Sequence, residues 1–440
     1  MEKALLVSIQ LKTDKHHWRI EDISSELEEL AVSANVEVVE NVVCICDRAT
    51  SNYLIGKGKV EEIVFIANEE GVDTVIFSHD LSGTQQRNLE GALGKKTIDR
   101  TQLILDIFSR RARSPEGKMQ VELALLQYLL PRLTGKGIML SGLGGGIGTR
   151  GPGETKLEMD RRQIRKKIDK LKDDLKIFRQ HRLTVSKKRK GNNLPVVALV
   201  GYTSAGKSTL LNLLTASTQI TSEKLFTTLD PLSKSLSLPN GQNIIVSDTV
   251  GFLHDLPHHL IEAFKATLEE VNDADLLIHV LDVADQRLLQ HNQAVLSVLA
   301  QLGAQDKPIL VALNKIDLVS DRSWLEISRK EFPNSILLSA KTGENLPALI
   351  AQIAEHFSDL MLSLRITIPH SRMELVDFFY RQAKVKKIDY LQKGINISLD
   401  ISRALFSRIE KDKDIKINPA TLSRINTEVA DAFPDLKGKK

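Results

Sequence analysis

The chain has 440 residues, of which 42% are hydrophobic, 26% charged and only 5% aromatic, a composition that suits two to four globular domains, each burying its own core. Two cysteines, Cys44 and Cys46, are too few for a disulfide framework, and no apolar run approaches the roughly 18 residues of a membrane span. Net charge is +4, yet Arg161 to Lys190 holds 14 Lys/Arg against three acids, a local +11 that leaves −7 for the rest. One strongly basic element in a mildly acidic chain is the footprint of a polyanion partner.

The apolar run Ala4–Ile9 is too short for a signal peptide. The expected compartment is therefore the cytosol, with peripheral membrane association left open and a monomeric chain expected. Residues 1–112 alternate strand-like runs (Leu5–Ile9, Val36–Val39, Val42–Cys46, Thr74–Phe77) with helix-like ones (Ile23–Ala34, Val60–Glu70, Gln85–Leu93, Gln102–Arg113). Such alternation predicts a small, mostly parallel sheet covered by helices. Cys44 and Cys46 read as members of a buried strand, since C-x-C alone is a poor zinc signature and free cysteine behaves as a small hydrophobe.

Residues 113–190 change character. Met119, Leu123, Leu126, Leu130 and Leu133 step by 4, 3, 4 and 3, and Ile164, Ile168, Leu171, Leu175 and Phe178 repeat those steps. Two heptad stripes joined by a loop predict an antiparallel helical hairpin, with Pro131 kinking or ending the first helix early. The connecting stretch 141–154 contains seven glycines and is expected to lie outside both helices. Lys187–Asn193 reads as an interdomain linker. Strand–helix alternation then runs through 194–357, and 361–440 reads as a small α+β unit with a polar tail. Its expected elements are a strand at Leu364–Ile368, a helix at Met373–Ala383 and strands at Lys384–Leu391 and Ile395–Ile401.

The chemistry concentrates in 194–357. Gly201-Tyr202-Thr203-Ser204-Ala205-Gly206-Lys207-Ser208 fits G-x4-G-K-[ST], after the apolar strand Val196–Val200 and before a helical run. The glycines let backbone N–H groups turn toward phosphate oxygens, Lys207 supplies a cation, and the Ser208 hydroxyl is a Mg²⁺ ligand. Three further motifs follow in order, each at the end of an apolar strand: Asp248-Thr249-Val250-Gly251, Asn314-Lys315-Ile316-Asp317 and Ser339-Ala340-Lys341. Open α/β sheets bind ligands at those strand ends. Asp248 can hold Mg²⁺ through water, and the Gly251 N–H can meet the γ-phosphate. The Asp317 carboxylate can accept from guanine N1–H and the 2-amino group together, whereas adenine would face it with a lone pair. The chain is therefore expected to bind GTP and GDP rather than ATP.

Between these motifs lies Leu225-Phe226-Thr227-Thr228-Leu229-Asp230-Pro231, where Thr228, in preference to Thr227, is expected to complete the Mg²⁺ shell. Phe252 occupies the position where small GTPases place a water-orienting glutamine. Intrinsic hydrolysis should thus be no faster than the order of 10⁻⁴ to 10⁻³ s⁻¹ seen without an arginine finger, and no catalytic residue is assigned. His254, His258 and His259 lie close enough to suggest a base, but a helix opening at Pro257 would display them on its surface.

These segments together resemble the HflX family of ribosome-associated GTPases, relatives of the Obg group. The resemblance runs over nearly the whole chain: Tyr53-Leu54-Ile55-Gly56-Lys57-Gly58-Lys59-Val60-Glu61-Glu62, Thr84–Leu89, Asp99–Thr101, Ile104–Phe108, Arg110–Arg113, Glu116–Lys118 and Gln120–Leu123. Most telling are GGGIGTRGPGE at Gly144–Glu154 and FLHDLP from Phe252. The resemblance implies an α/β unit with a helical hairpin, a P-loop G domain and a small α+β C-terminal unit. It also implies a protein that docks on the large ribosomal subunit in its GTP form and splits or rescues ribosomes, commonly under stress. Members of the family have been credited with ATP binding at the N-terminal unit, where this chain carries no phosphate-loop motif.

Two departures stand out. Ser204 replaces the asparagine that in related GTPases helps hold an activating K⁺, which counts against potassium stimulation. The tail from about residue 402 is also long for the family. The basic hairpin and its glycine loop offer rRNA contacts at Gly144, Gly145, Gly146, Arg150, Arg161, Arg162, Arg165, Lys166 and Lys167. A competing function is a ribosome-assembly or storage factor that uses GTP only as an occupancy switch. An RNA-modifying GTPase is disfavoured, because neither a catalytic loop cysteine nor a substrate-cofactor motif is present.

Overall fold

The computed structural model describes residues 2–13, 18–133, 152–191, 194–215, 232–254, 260 and 270–418, apart from 393, 403–404, 407–408, 411 and 413. For 152–157, 185–191 and 322 the description extends to the backbone. Three sheets organise it.

The first sheet runs β2-β1-β3-β4 and every pairing is parallel, from β1 (Lys3–Leu11), β2 (Glu37–Cys46), β3 (Thr74–Phe77) and β4 (Lys96–Asp99). The two runs at 36–46 are one strand. The polar pair Glu40-Asn41 that separates them follows a bulge, where the register slips between Ala4↔Val38 and Leu5↔Glu40. Cys44 is buried and its thiol is pushed up to about 11 by burial, while Cys46 is half-buried. Strand β4 carries too few apolar residues to show a period, and it exists because Lys96–Asp99 pair with Thr74–Phe77.

Helices α1 (Ile20–Ser33), α2 (Lys57–Glu69), α3 (Gly83–Leu93) and α4 (Arg100–Arg111) lie between and after these strands. Helix α3 starts on a capping box, with Ser82 accepting from the Gln85 amide and Gln85 answering to the Ser82 amide. Asp99 caps α4 through Gln102 N and also accepts from Tyr128 and Arg132, although burial, followed by the Asp80 charge, raises its carboxyl above the usual range.

The heptad stripes build the hairpin. Helix α5 (Pro115–Arg132) opens with Ser114 as cap and closes one residue after Pro131, so the proline marks an early end. Helix α6 runs 40 residues, Pro152–Gly191. It therefore takes in Pro152–Glu154, placed by the sequence in the loop, and nearly all of the expected linker Lys187–Asn193. Leu123, Ile168 and Leu171 form the seam, flanked by Met119, Leu126, Leu130, Ile164 and Leu175. Leu133 and Phe178, the last step of each stripe, fall outside it: Leu133 follows the helix and Phe178 is 36% exposed. The pairs Glu122–Lys167 and Glu116–Arg182 fix the antiparallel sense.

The second sheet runs β10-β9-β8-β5-β7-β6, parallel except for the β6–β7 hairpin. Its strands are β5 (Val196–Gly201), β6 (Leu232–Ser237), β7 (Asn243–Asp248), β8 (Leu276–Asp282), β9 (Ile309–Asn314) and β10 (Ile336–Leu337). Helices α7 (Lys207–Thr215), α8 (Leu288–Gln301), α9 (Arg322–Glu331) and α10 (Leu346–His356) accompany it.

The third sheet, β12-β13-β11-β14, is antiparallel, with β11 (Met361–Ile368), α11 (Glu374–Gln382), β12 (Lys384–Leu391), β13 (Gly394–Ser402) and the edge strand β14 (Lys416–Ile417). One buried cluster joins the first two units, running from Leu6, Leu30 and Phe108 through Tyr202 and Phe252 to Val295. Among the described residues no helix is long and apolar enough to cross a membrane.

Candidate active site

The four motifs, which follow β5, β7, β9 and β10, converge on one crest because those strands and the intervening β8 form one parallel run, β10-β9-β8-β5-β7. Strand β5 ends in Gly201, where an added β-carbon would stand 2.3 Å from Val280 O. The loop then turns through Ser204 at φ 58° and Gly206 at φ 98°. A β-carbon at Gly206 would lie 2.2 Å from Asn314 Nδ2, so only glycine admits Asn314 beneath the loop. Asn314 Nδ2 donates to Ala205 O at 2.8 Å and its Oδ1 accepts from Ala340 N at 2.8 Å. One side chain thereby ties three motifs together.

Lys207 is 6% exposed and donates to Gly201 O (3.0 Å) and Tyr202 O (2.8 Å). Burial lowers its ammonium to about 8, opposed by the nearby Asp248 charge. Ser208 Oγ donates to Asp248 Oδ2 at 2.6 Å, and Asp248 is fully buried. Thr249 is anchored by its hydroxyl to Leu199 O at 2.7 Å, and Val250 is buried. The Gly251 backbone rests on the loop: a β-carbon there would meet Thr203 Cα at 2.9 Å and Lys207 Nζ at 3.1 Å. A polyphosphate seated against this loop would find the Lys207 cation within it.

Lys315 occupies the left-handed region (φ 67°) and pairs with Asp282 at 2.7 Å. Ile316 and Asp317 begin a 3-10 turn, and exposed Asp317 accepts from Ser339 Oγ at 2.6 Å through Oδ1. Ser339 and Ala340 are buried and Lys341 is exposed. Phe252 is 1% exposed and bridges Tyr202, donating from its amide to Gly201 O (3.1 Å) and accepting from Thr203 N (2.9 Å).

Phe226, Thr227, Thr228, Leu229 and Asp230 lie outside the described residues, as do Gly144, Gly145, Gly146 and Arg150. On α6, Arg162, Arg165, Lys166 and Lys167 are exposed and Arg161 is half-buried. His258 and His259 also lie outside. His254 departs from expectation: its ring stacks on Trp18 with centroids 4.2 Å apart, so it is packed against the N-terminal unit rather than displayed.

The sequence left three partners of this site unnoticed: Trp18, Glu26 and Arg100. Glu26 accepts from the Tyr202 hydroxyl and from Arg100, and Arg100 also donates to His254 O at 2.6 Å. Nothing local signals these roles, since the partners lie more than 70 residues apart along the chain.

Four family models match in succession: GTP-binding GTPase N-terminal (21–109), GTP-binding GTPase Middle Region (111–189), 50S ribosome-binding GTPase (196–315) and HflX C-terminal domain (326–413). A protein named GTPase HflX from Caldanaerobacter subterraneus subsp. tengcongensis is 44% identical over 93% of this chain and 93% of its own. One of the same name from Escherichia coli is 39% identical over 91% and 93%. A crystal structure of a GTP-binding protein from Sulfolobus solfataricus with GDP aligns at TM-score 0.42 and 26% identity, covering 82% of this chain and 100% of that one.

Proposed function

The chain belongs to the HflX family of GTPases, and from that premise we propose that its GTP cycle gates docking on the large ribosomal subunit and dissociation or rescue of ribosomes. The observation that carries the nucleotide reading is the convergence of the Gly201–Ser208 loop, Asp248, Asn314 and Ser339 on one sheet crest. GTP is held with its phosphates against the 201–208 amides and Lys207. Its base is read by Asp317, which Ser339 orients, with Ile316 and Lys341 beside it. The hard oxygen donors Ser208 and Asp248, 2.6 Å apart, fit Mg²⁺, with Thr228 as the added ligand of the GTP state. When bound, that ion neutralises charge developing on the transferred phosphoryl group.

The protein's own residues account for slow turnover. Gly251 lies against Lys207, where its amide can meet the γ-phosphate, but Phe252 is buried and offers no group to orient water. Another group must position the water, and a large partner is the first candidate. The match to the 50S ribosome-binding GTPase model and the exposed cations of α6 support the large subunit and its rRNA in that role. The test is GTP turnover with and without purified large subunits at low salt. A rise of about 10²-fold or more is expected, well within what a supplied catalytic group can contribute. No change would leave the GTPase standing and remove the ribosome as its activator.

A further inference from the structure

We propose that Glu26 and Arg100 are positioning residues for GTP hydrolysis, acting through the Tyr202 hydroxyl to hold the segment 251–254 in register with the phosphate loop. The proposal rests on the nucleotide reading above and names a control of that same site. Tyr202 is the first residue after Gly201 in the loop, and its hydroxyl is spent outside the loop. It donates to Glu26 of α1 and accepts from His254 N at 2.9 Å. Arg100, at the start of α4, closes the circuit by donating to Glu26 and, at 2.6 Å, to His254 O.

Both backbone polar groups of His254 are thus taken up by one cluster, two residues after the bridge between Tyr202 and Phe252. Rings complete the packing: Trp18 stacks on His254, and Tyr202 stacks on His291 at 3.9 Å. Burial, then the Glu26 charge, pushes the Tyr202 phenol well above its ordinary value, so it remains a donor.

The chemistry of the cluster argues for a role beyond packing. Glu26 and Arg100 side chains are 8% and 12% exposed, within a core that includes Leu27, Leu30, Val200 and Phe252. An ion pair in such a place is no more stabilising than apolar side chains of the same volume. What it adds is direction: two charged groups fix one hydroxyl and one peptide unit at defined angles. The peptide concerned follows the glycine whose amide is to meet the γ-phosphate, and small displacements there act on rate more than on binding.

The experiment uses the full chain and the variants Glu26→Gln, Arg100→Lys, Tyr202→Phe and Glu26→Gln/Tyr202→Phe. Single-turnover hydrolysis at saturating GTP and affinity for a fluorescent GDP analogue are measured in parallel, with hydrogen exchange at the His254 amide. Each single variant should slow hydrolysis by about three- to tenfold, the scale of one lost hydrogen bond. The double variant should be no slower than the slower single, because both changes cut the same link. GDP-analogue affinity should move less than about twofold, and His254 exchange should rise in all variants. Rates unchanged in Glu26→Gln and Arg100→Lys, or additive losses in the double variant, would overturn the proposal. Failure of the unsubstituted protein to bind the analogue would instead overturn the nucleotide reading beneath it.

Discussion

Individual side chains at the crest do two jobs, and substitution can separate them. Under the proposed reading Asp317 recognises the base, and its contact with Ser339 orients it. Asp317→Asn should therefore leave the loop intact and shift preference from guanine toward xanthine nucleotides, by up to roughly 10⁴ as a ratio. Competition between GTP and XTP for the protein reads this directly, and unchanged guanine preference would refute the assignment. Gly206→Ala is the opposite case. The added methyl collides with Asn314 Nδ2 at 2.2 Å in a backbone conformation unsuited to alanine. It should displace Asn314 from both Ala205 and Ala340, and nucleotide binding should fall below detection by equilibrium titration while the fold survives.

Two buried imidazoles set an acid limit. Burial lowers His279 to about 3 and His291 to about 4. Both are neutral when folded, whereas the unfolded chain protonates them below about pH 6.5. Their contribution is complete above that value and is lost as pH falls toward the folded values. By pH 5 the loss is roughly 2 kcal/mol for each. Thermal midpoints at pH 7.5 and 5.0 should show this fall, and His279→Leu, of similar volume, should flatten part of it. An equal fall in the variant would show that carboxylates, not this histidine, dominate.

At the scale of elements, the hairpin tests how far pattern determines packing. Leu171 is 7% exposed in a seam otherwise bounded by the solvent-facing, basic side of α6. Leu171→Ala should cost about 2–4 kcal/mol of local stability. The loss should appear as faster hydrogen exchange along α5 and α6 with unchanged GDP affinity. The seam was legible because a 4-3-4-3 step admits one helical face, and the convergence of the strand-end motifs was legible because each follows an apolar strand of one sheet. What escaped has a common cause. Strand β4 is Lys-Thr-Ile-Asp, with no period of its own, and forms only because β3 offers an edge. Helix α6 overran a glycine-bearing boundary at one end and a polar linker composition at the other, since charged residues such as Lys and Arg are good helix formers. Glu26 and Arg100 were invisible for the same reason at longer range: their meaning lies in Tyr202 and His254, which only the fold brings near.

Across the whole molecule, the G domain is held from two sides. The shared core and the Glu26 cluster tie its crest to the N-terminal unit. The opposite tie is the β6–β7 hairpin. Strand β6 begins at Leu232, directly after the 225–231 segment in which Thr228 is expected to complete the Mg²⁺ shell, and β7 ends at Asp248. The hairpin's turn, roughly 20 Å away at the ordinary rise per strand residue, reaches the C-terminal unit. There Gly241, at φ 81°, has no room for a β-carbon, which would lie 2.8 Å from Lys384 N and 3.0 Å from Ala383 C. Gln242 beside it is 2% exposed. Under the proposed reading the hairpin is packed at one end and coupled to Mg²⁺ and phosphate at the other, and it should carry displacement between them, because paired strands shift as a unit. In the unsubstituted protein, exchange of a GTP analogue for GDP should therefore alter amide protection at the start of β12. Gly241→Ala combines left-handed strain with overlap and should lower the thermal midpoint by a few degrees, the equivalent of about 1–2 kcal/mol. It should also uncouple β12 from the nucleotide while leaving GDP affinity within about twofold, on the additivity expected of distant sites. Persistent nucleotide-dependent protection at β12 in that variant would mean that the signal reaches the C-terminal unit by another route.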